Sequence, residues 1–174
     1  MENEKIEIGE ISKPKGLKGY LKILSYFDDL EVLLERVEEV FLKLGRRVKK
    51  HKIEDFYKKK GRVFIVKLSD INDIDTAQIL RGVRLLVELK DFYRYYEESD
   101  SPVKYIGYRV IDYKTNEILG YIVDVQPMGK QRIFRCVTED EDKEFFIPIQ
   151  DEIFKEINRE NKEIYIDNKG FNEI

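Results

Sequence analysis

The stretch Ile8-Gly9-Glu10-Ile11-Ser12-Lys13-Pro14-Lys15-Gly16-Leu17-Lys18-Gly19-Tyr20-Leu21-Lys22-Ile23 starts as a strand, breaks into a Pro/Gly-punctuated loop and resumes at once as a second strand. Pro14 fixes its own φ and biases Lys13 toward extended backbone. Gly16 and Gly19 permit angles or close approaches that a side chain forbids. These residues predict a rigid loop that holds Lys13, Lys15 and Lys18 outward on a β scaffold, where they can meet a polyanion.

The rest of the first half continues in strands. Residues 5–11, 19–26, 37–44, 47–57, 62–68 and 83–89 are rich in Val, Ile, Phe and Tyr, with Gly- and Lys-rich turns between them. Gly45-Arg46 and Lys60-Gly61 read as hairpin turns. Val63-Phe64-Ile65-Val66, apolar on both faces, reads as a central strand of a closed barrel. A short helix is expected over 28–36 from Leu30, Leu33 and Leu34. A second is expected over 72–81, with Ile74, Ala77 and Leu80 inward, Asn72 or Asp73 as cap and Gly82 as stop.

From Lys90 to Pro102 the pattern lapses into aromatic and acidic residues, which predicts a linker over 91–101. A second β set follows at 105–113, 118–126, 131–138, 143–148 and 163–167. Asn116 marks a tight turn, and a short helix is expected over 151–157 on Ile153, Phe154 and Ile157. The predicted fold class is mainly β: two small β-barrels, 1–90 and 102–174, joined by a short linker and carrying a few short helices.

Charge is unevenly shared. Residues 1–90 hold 20 Lys and Arg against 16 Asp and Glu, whereas residues 91–174 hold 12 against 19, so the halves carry +4 and −7. Within the first half, Arg46 to Arg62 contains nine Lys and Arg, opposed only by Glu54 and Asp55. Such a local field collects phosphates even on an acidic protein; a solvated hairpin whose lysines blunt a strand edge is the competing reading. The single cysteine, Cys136, excludes an intramolecular disulfide and suits a reducing compartment. The start lacks the layout of a signal peptide and no apolar stretch approaches the ~18 residues that span a bilayer, so a cytoplasmic protein without membrane attachment is expected.

The usual catalytic residues are sparse. His51 is the only histidine and sits inside the basic run, where it reads as an exposed strand residue. Cys136 lies in an alternating strand and reads as packing. Neither Gly-rich phosphate-loop motif occurs, and Glu139-Asp140-Glu141-Asp142 reads as a solvated hairpin turn. No enzyme activity, metal or cofactor is expected. Phe92, Tyr93, Tyr95 and Tyr96, with Arg94 among them, can fill a crevice between the domains or form a recognition patch. Tyr95 and Tyr96 are taken as anchors for a partner, since Tyr is favoured at interfaces and stacks on bases.

In their order along the chain, these motifs resemble the RimM family of ribosome maturation factors. The opening loop is similar to that family's N-terminal signature, Ala77-Gln78-Ile79-Leu80-Arg81-Gly82 to its A-x-x-L-R-G helix end, and Tyr95-Tyr96 to its tyrosine-bearing junction. Ile106-Gly107-Tyr108-Arg109-Val110, then Ile118-Leu119-Gly120-Tyr121-Ile122-Val123-Asp124-Val125, resemble the start of a PRC barrel, and Phe145-Phe146-Ile147-Pro148-Ile149 its close. The chain departs from the pattern at Lys15, where the family has histidine, at Tyr20, where it has an acidic residue, and at Gly129-Lys130-Gln131-Arg132. The resemblance implies a six-stranded translation-factor-like barrel followed by a PRC barrel. It also implies a non-enzymatic assembly factor that binds ribosomal protein nineteen of the small subunit and assists maturation of the 3′ major domain of its rRNA.

Lys13, Lys15, Lys18, Arg46, Arg47, Lys58, Lys59 and Lys60 are expected to form the rRNA-facing surface, with the loop shape set by Pro14, Gly16 and Gly19. A monomer is the default expectation. The competing functions are a two-barrel protein-interaction adaptor and an enzyme using the first barrel as a flavin- or nucleotide-binding scaffold.

Overall fold

Period-two burial builds the first barrel: Leu21, Ile23 and Ser25 alternate inward along one strand and Val40 and Leu42 along another. The computed structural model describes residues 4–168, in two compact units divided between Ser101 and Pro102. The first unit contains β1 (Lys5–Lys15), β2 (Tyr20–Ser25), β3 (Glu39–Leu44), β4 (Arg47–Lys60), β5 (Val63–Leu68) and β6 (Arg84–Glu88). They close in the order β1-β2-β5-β4-β3-β6, every neighbour antiparallel. Phe64, Ile65 and Val66 are each fully buried on β5, as expected for a strand covered on both faces.

With all neighbours antiparallel, successive connections emerge at opposite ends of the barrel. The β1–β2 loop, the β3–β4 turn and the β5–β6 connection share one end. The β2–β3 connection, the β4–β5 turn and the chain after β6 share the other. Helix α1 (Glu31–Leu34) is shorter than its leucine pattern predicts. Helix α2 (Ile74–Ile79) starts at Asp73, whose side chain accepts a hydrogen bond from the Thr76 amide at 2.7 Å. Gly82, at φ +85°, turns the chain out of that region.

Residues 91–101, expected as linker, form most of helix α3 (Leu89–Glu97) and its exit, and belong to the first unit. Phe92 and Tyr96 are buried, with Phe27 5.4 and 6.0 Å from their ring centroids. Within the run that looks irregular, Phe92 and Tyr96 form the buried side of the helix, while Tyr93 is exposed and Tyr95 half-buried. His51 is not the exposed strand residue that its basic neighbours suggest. It is 4% exposed, because its position on β4 points inward, and its Nδ1 lies 2.7 Å from the Ser69 carbonyl.

The second unit begins with a 3-10 turn, Pro102–Tyr105. It continues through β7 (Arg109–Asp112), β8 (Ile118–Met128), β9 (Gln131–Val137), β10 (Glu144–Pro148), β11 (Phe154–Asn158) and β12 (Glu163–Ile166). These form one six-stranded sheet, β10-β9-β8-β7-β12-β11, in which only β7 and β12 are parallel. The sheet curls enough to bring Phe134 of β9 within 5.9 Å of Phe154 of β11. The helix expected over 151–157 is instead turn and strand. Residues 154–158 pair with β12, and Asn158 Oδ1 accepts the Asn161 amide in the tight turn between them. Asn116 has φ +60°, as its turn requires.

Cys136 is fully buried, and burial pushes its thiol up to about 12. A thiol-specific reagent at pH 8 is therefore expected to leave the folded protein unlabelled and to label it fully in denaturant, as read by mass spectrometry. Rapid labelling of the folded chain would contradict the burial of Cys136 on β9.

Candidate nucleic-acid interface

The β1–β2 hairpin fixes the lysine loop from both sides. Lys15 pairs with Tyr20, Pro14 with Leu21 and Lys13 with Lys22. Beyond Glu10, β1 no longer pairs with β6, so the missing amide hydrogen of Pro14 costs no ladder bond there. Gly16 and Gly19 adopt φ +73° and +94°. Gly19 also sits against the backbone of Ile71 and Asn72, which clamps the loop to the chain entering α2.

Lys13, Lys15 and Lys18 are exposed and take part in no ion pair among the described residues. Lys13 stands directly across from half-buried Lys22, which likewise has no ion-pair partner among the described residues. Like charges opposite one another on a ladder are destabilising, and an anion held between them would relieve the repulsion. Lys22 does not stand out in the sequence; once the hairpin register is known, its pairing with Lys13 identifies it. The nearby Asp55 carboxylate accepts a hydrogen bond from the Tyr20 hydroxyl at 2.8 Å, and that carboxylate raises the phenol above its ordinary range.

Arg46 and Arg47, in and after the β3–β4 turn, are exposed, have no ion-pair partner among the described residues and occupy the same barrel end as the lysine loop. Arg81, exposed in the β5–β6 connection, joins them and is likewise inconspicuous in the sequence. That connection carries Asp70, Asp73 and Asp75 as well, of which Asp73 is committed to capping α2.

Lys58, Lys59 and Lys60 lie at the opposite end. Lys58 is already engaged: its Nζ donates to the Asp28 carbonyl at 2.6 Å and lies 3.6 Å from Glu31 Oε1. The eight cations are therefore two groups on two ends, not one surface. The two tyrosines differ as well. Tyr95 is half-buried, with Arg36 and Arg94 5.9 and 5.4 Å from its ring. Tyr96 is fully buried among Phe27 and Phe92, so it is a core residue and no exposed anchor.

Among the described residues no group of three or more His, Cys, Asp or Glu could hold a metal ion, and no helix is long and apolar enough to cross a membrane. The acidic turn is self-satisfied, since Asp140 accepts from Thr138 Oγ1 and the Asp142 amide, which holds its carboxyl below the usual range.

Two family models together match most of the chain. One described as the RimM N-terminal domain matches residues 6–92, and one described as the RimM PRC barrel domain matches residues 102–171. The chain is 30% identical over 171 residues to the ribosome maturation factor RimM of Colwellia psychrerythraea, covering 95% of this chain and 96% of that protein. It is 28% identical over 163 residues to that of Lactobacillus johnsonii, covering 94% and 93%. The solution structure of the N-terminal domain of RimM from Thermus thermophilus aligns with 30% identity and a TM-score of 0.41, covering 51% of this chain and 93% of that one.

Proposed function

The chain belongs to the RimM family of ribosome maturation factors, and we propose that it assists the small subunit by binding, with no covalent turnover. In this reading the first barrel docks on the rRNA of the 3′ major domain through Lys13, Lys15, Lys18, Arg46 and Arg47. The protein also holds the basic ribosomal protein nineteen of the head, drawn by the second unit, where residues 102–174 hold 11 Lys and Arg against 15 Asp and Glu. Holding that protein on an acidic surface suppresses its premature attachment to RNA. Tyr95 is the tyrosine available to a partner, and the site of action is the cytoplasm.

The observation that carries the reading is the set of cations on one barrel end without an ion-pair partner among the described residues: exposed Lys13, Lys15, Lys18, Arg46 and Arg47, with half-buried Lys22 across from Lys13. Co-sedimentation with free small subunits, large subunits and joined ribosomes at two salt concentrations tests it. Selective, salt-sensitive capture by free small subunits is expected. The triple variant K13A/K15A/K18A should bind more weakly, its salt slope shallower by about one unit for each phosphate that it no longer neutralises. Equal capture by all three particles, or an unchanged slope in the triple variant, overturns the assignment.

A further inference from the structure

The two most exposed large apolar side chains among the described residues are Ile79, at 81%, and Leu17, at 74%; the next, Tyr113, is at 51%. Both belong to the barrel end that carries the unpaired cations. Leu17 is the tip of the β1–β2 loop between Lys15 and Lys18, and Ile79 ends α2 two residues before Arg81. The elements that carry them are packed together. Helix α2 rests on β1 and β2, Gly19 is seated against Ile71, and the Gly82 amide donates to the Ile11 carbonyl.

A scattered exposed leucine needs no explanation. Here, though, the inner side of α2 is satisfied by buried Ala77 and Leu80, so Ile79 is not left over from packing. Leu17, likewise, is held out by a loop whose two glycines and hairpin register define its shape.

Resting on the RNA reading above, we infer that Leu17 and Ile79 are apolar contacts for unpaired bases, while the flanking cations take the phosphates. The surrounding charge decides the occupant. A basic ribosomal protein would meet Lys13, Lys15, Lys18, Lys22 and Arg81 as like charges. RNA brings one negative charge per nucleotide and, where unpaired, exposes apolar base faces that a duplex keeps stacked. Apolar side chains are used in this way by proteins that wedge against unstacked bases. The two sides of the contact then differ in physical signature. The cations set the salt slope, and the two aliphatic side chains add affinity that salt does not screen.

The test uses the full chain, a labelled single-stranded RNA oligonucleotide, the duplex of the same sequence, and purified small subunits. The L17A/I79A variant is expected to bind the single strand about ten-fold more weakly, equivalent to ~1.4 kcal/mol. Its salt slope and its duplex affinity should match the parent. Its thermal unfolding should also match, because both side chains are exposed. Unchanged affinity for the single strand overturns the inference, as does an equal loss on the duplex. Weakened capture by small subunits with undiminished binding to naked RNA would overturn it in favour of an apolar protein contact. A parent that binds neither RNA at low salt defeats the RNA reading itself, and this inference with it.

Discussion

Gly19→Ala is expected to destabilise the first unit severely, by ~2–5 kcal/mol when the cost of positive φ is added to that of overpacking. Gly19 has φ +94°, and a Cβ there would lie 2.0 Å from the Ile71 carbonyl oxygen and 2.9 Å from Asn72 Cα. Those are backbone atoms, so no rotamer change clears them. The strain can be relieved only by prising the chain leading into α2 away from the barrel end. Gly16→Ala is the matched control, because Gly16 has φ +73° but nothing within 4 Å of the added carbon. It should cost only the left-handed penalty, ~1–2 kcal/mol. Urea denaturation of both variants measures the difference, with the slope checked for constancy. Equal midpoints would mean that the loop is not clamped. Because the clamped loop also carries the lysines and Leu17, Gly19→Ala should lose RNA binding more completely than any single lysine variant.

The second large effect is expected at Tyr96. Truncation to alanine should cost ~3–5 kcal/mol, the range for a fully buried aromatic ring. It removes a side chain that is 0% exposed and leaves Phe27 and Phe92 facing a cavity. Tyr96→Phe keeps the ring and removes the hydroxyl, which donates to the Asp29 carbonyl at 3.3 Å, so it should cost far less than the alanine variant. Tyr95→Ala should leave the unfolding midpoint almost unchanged, since that ring is half-buried and its neighbours are long, solvent-facing arginine side chains. A loss of particle binding in the Tyr96→Ala variant would then report unfolding of α3, while a loss in Tyr95→Ala would report contact. A denaturation series run beside the co-sedimentation separates the two. A Tyr96→Ala variant as stable as the parent would overturn the placement of α3.

Strands β2 and β3 are legible in the sequence because one face is buried and the residues alternate accordingly, and β5 because its apolar run is buried on both faces. Residues 47–60 are harder. Most side chains there are charged, and His51 looks exposed among lysines, although it and Ile53 share the inward-facing parity. Helix α3 is hidden by composition. Leu89, Phe92, Tyr93 and Tyr96 recur at helical spacing, but acidic and aromatic neighbours make the run resemble a linker. Residues 153, 154 and 157 fit a helical face as well as they fit a twisted short strand. Only pairing with β12 distinguishes the two, and that pairing is set by the turn at 159–162. Of the site, the loop and its lysines are readable locally. The separation of Lys58–Lys60 from Arg46 and Arg47 is not, because it depends on which way each strand runs.

That last dependence amounts to a parity rule. In a ring of six strands with opposed neighbours, every segment that follows an odd-numbered strand of this unit surfaces at one pole, and every segment that follows an even-numbered strand surfaces at the other. Lys15, Arg46 and Arg81, far apart along the chain, are pooled for that reason alone. The unit's charge polarity can therefore be rewritten by exchanging connection residues between odd and even positions, with the interior left untouched. Circular permutation that keeps strand directions would leave the polarity as it is.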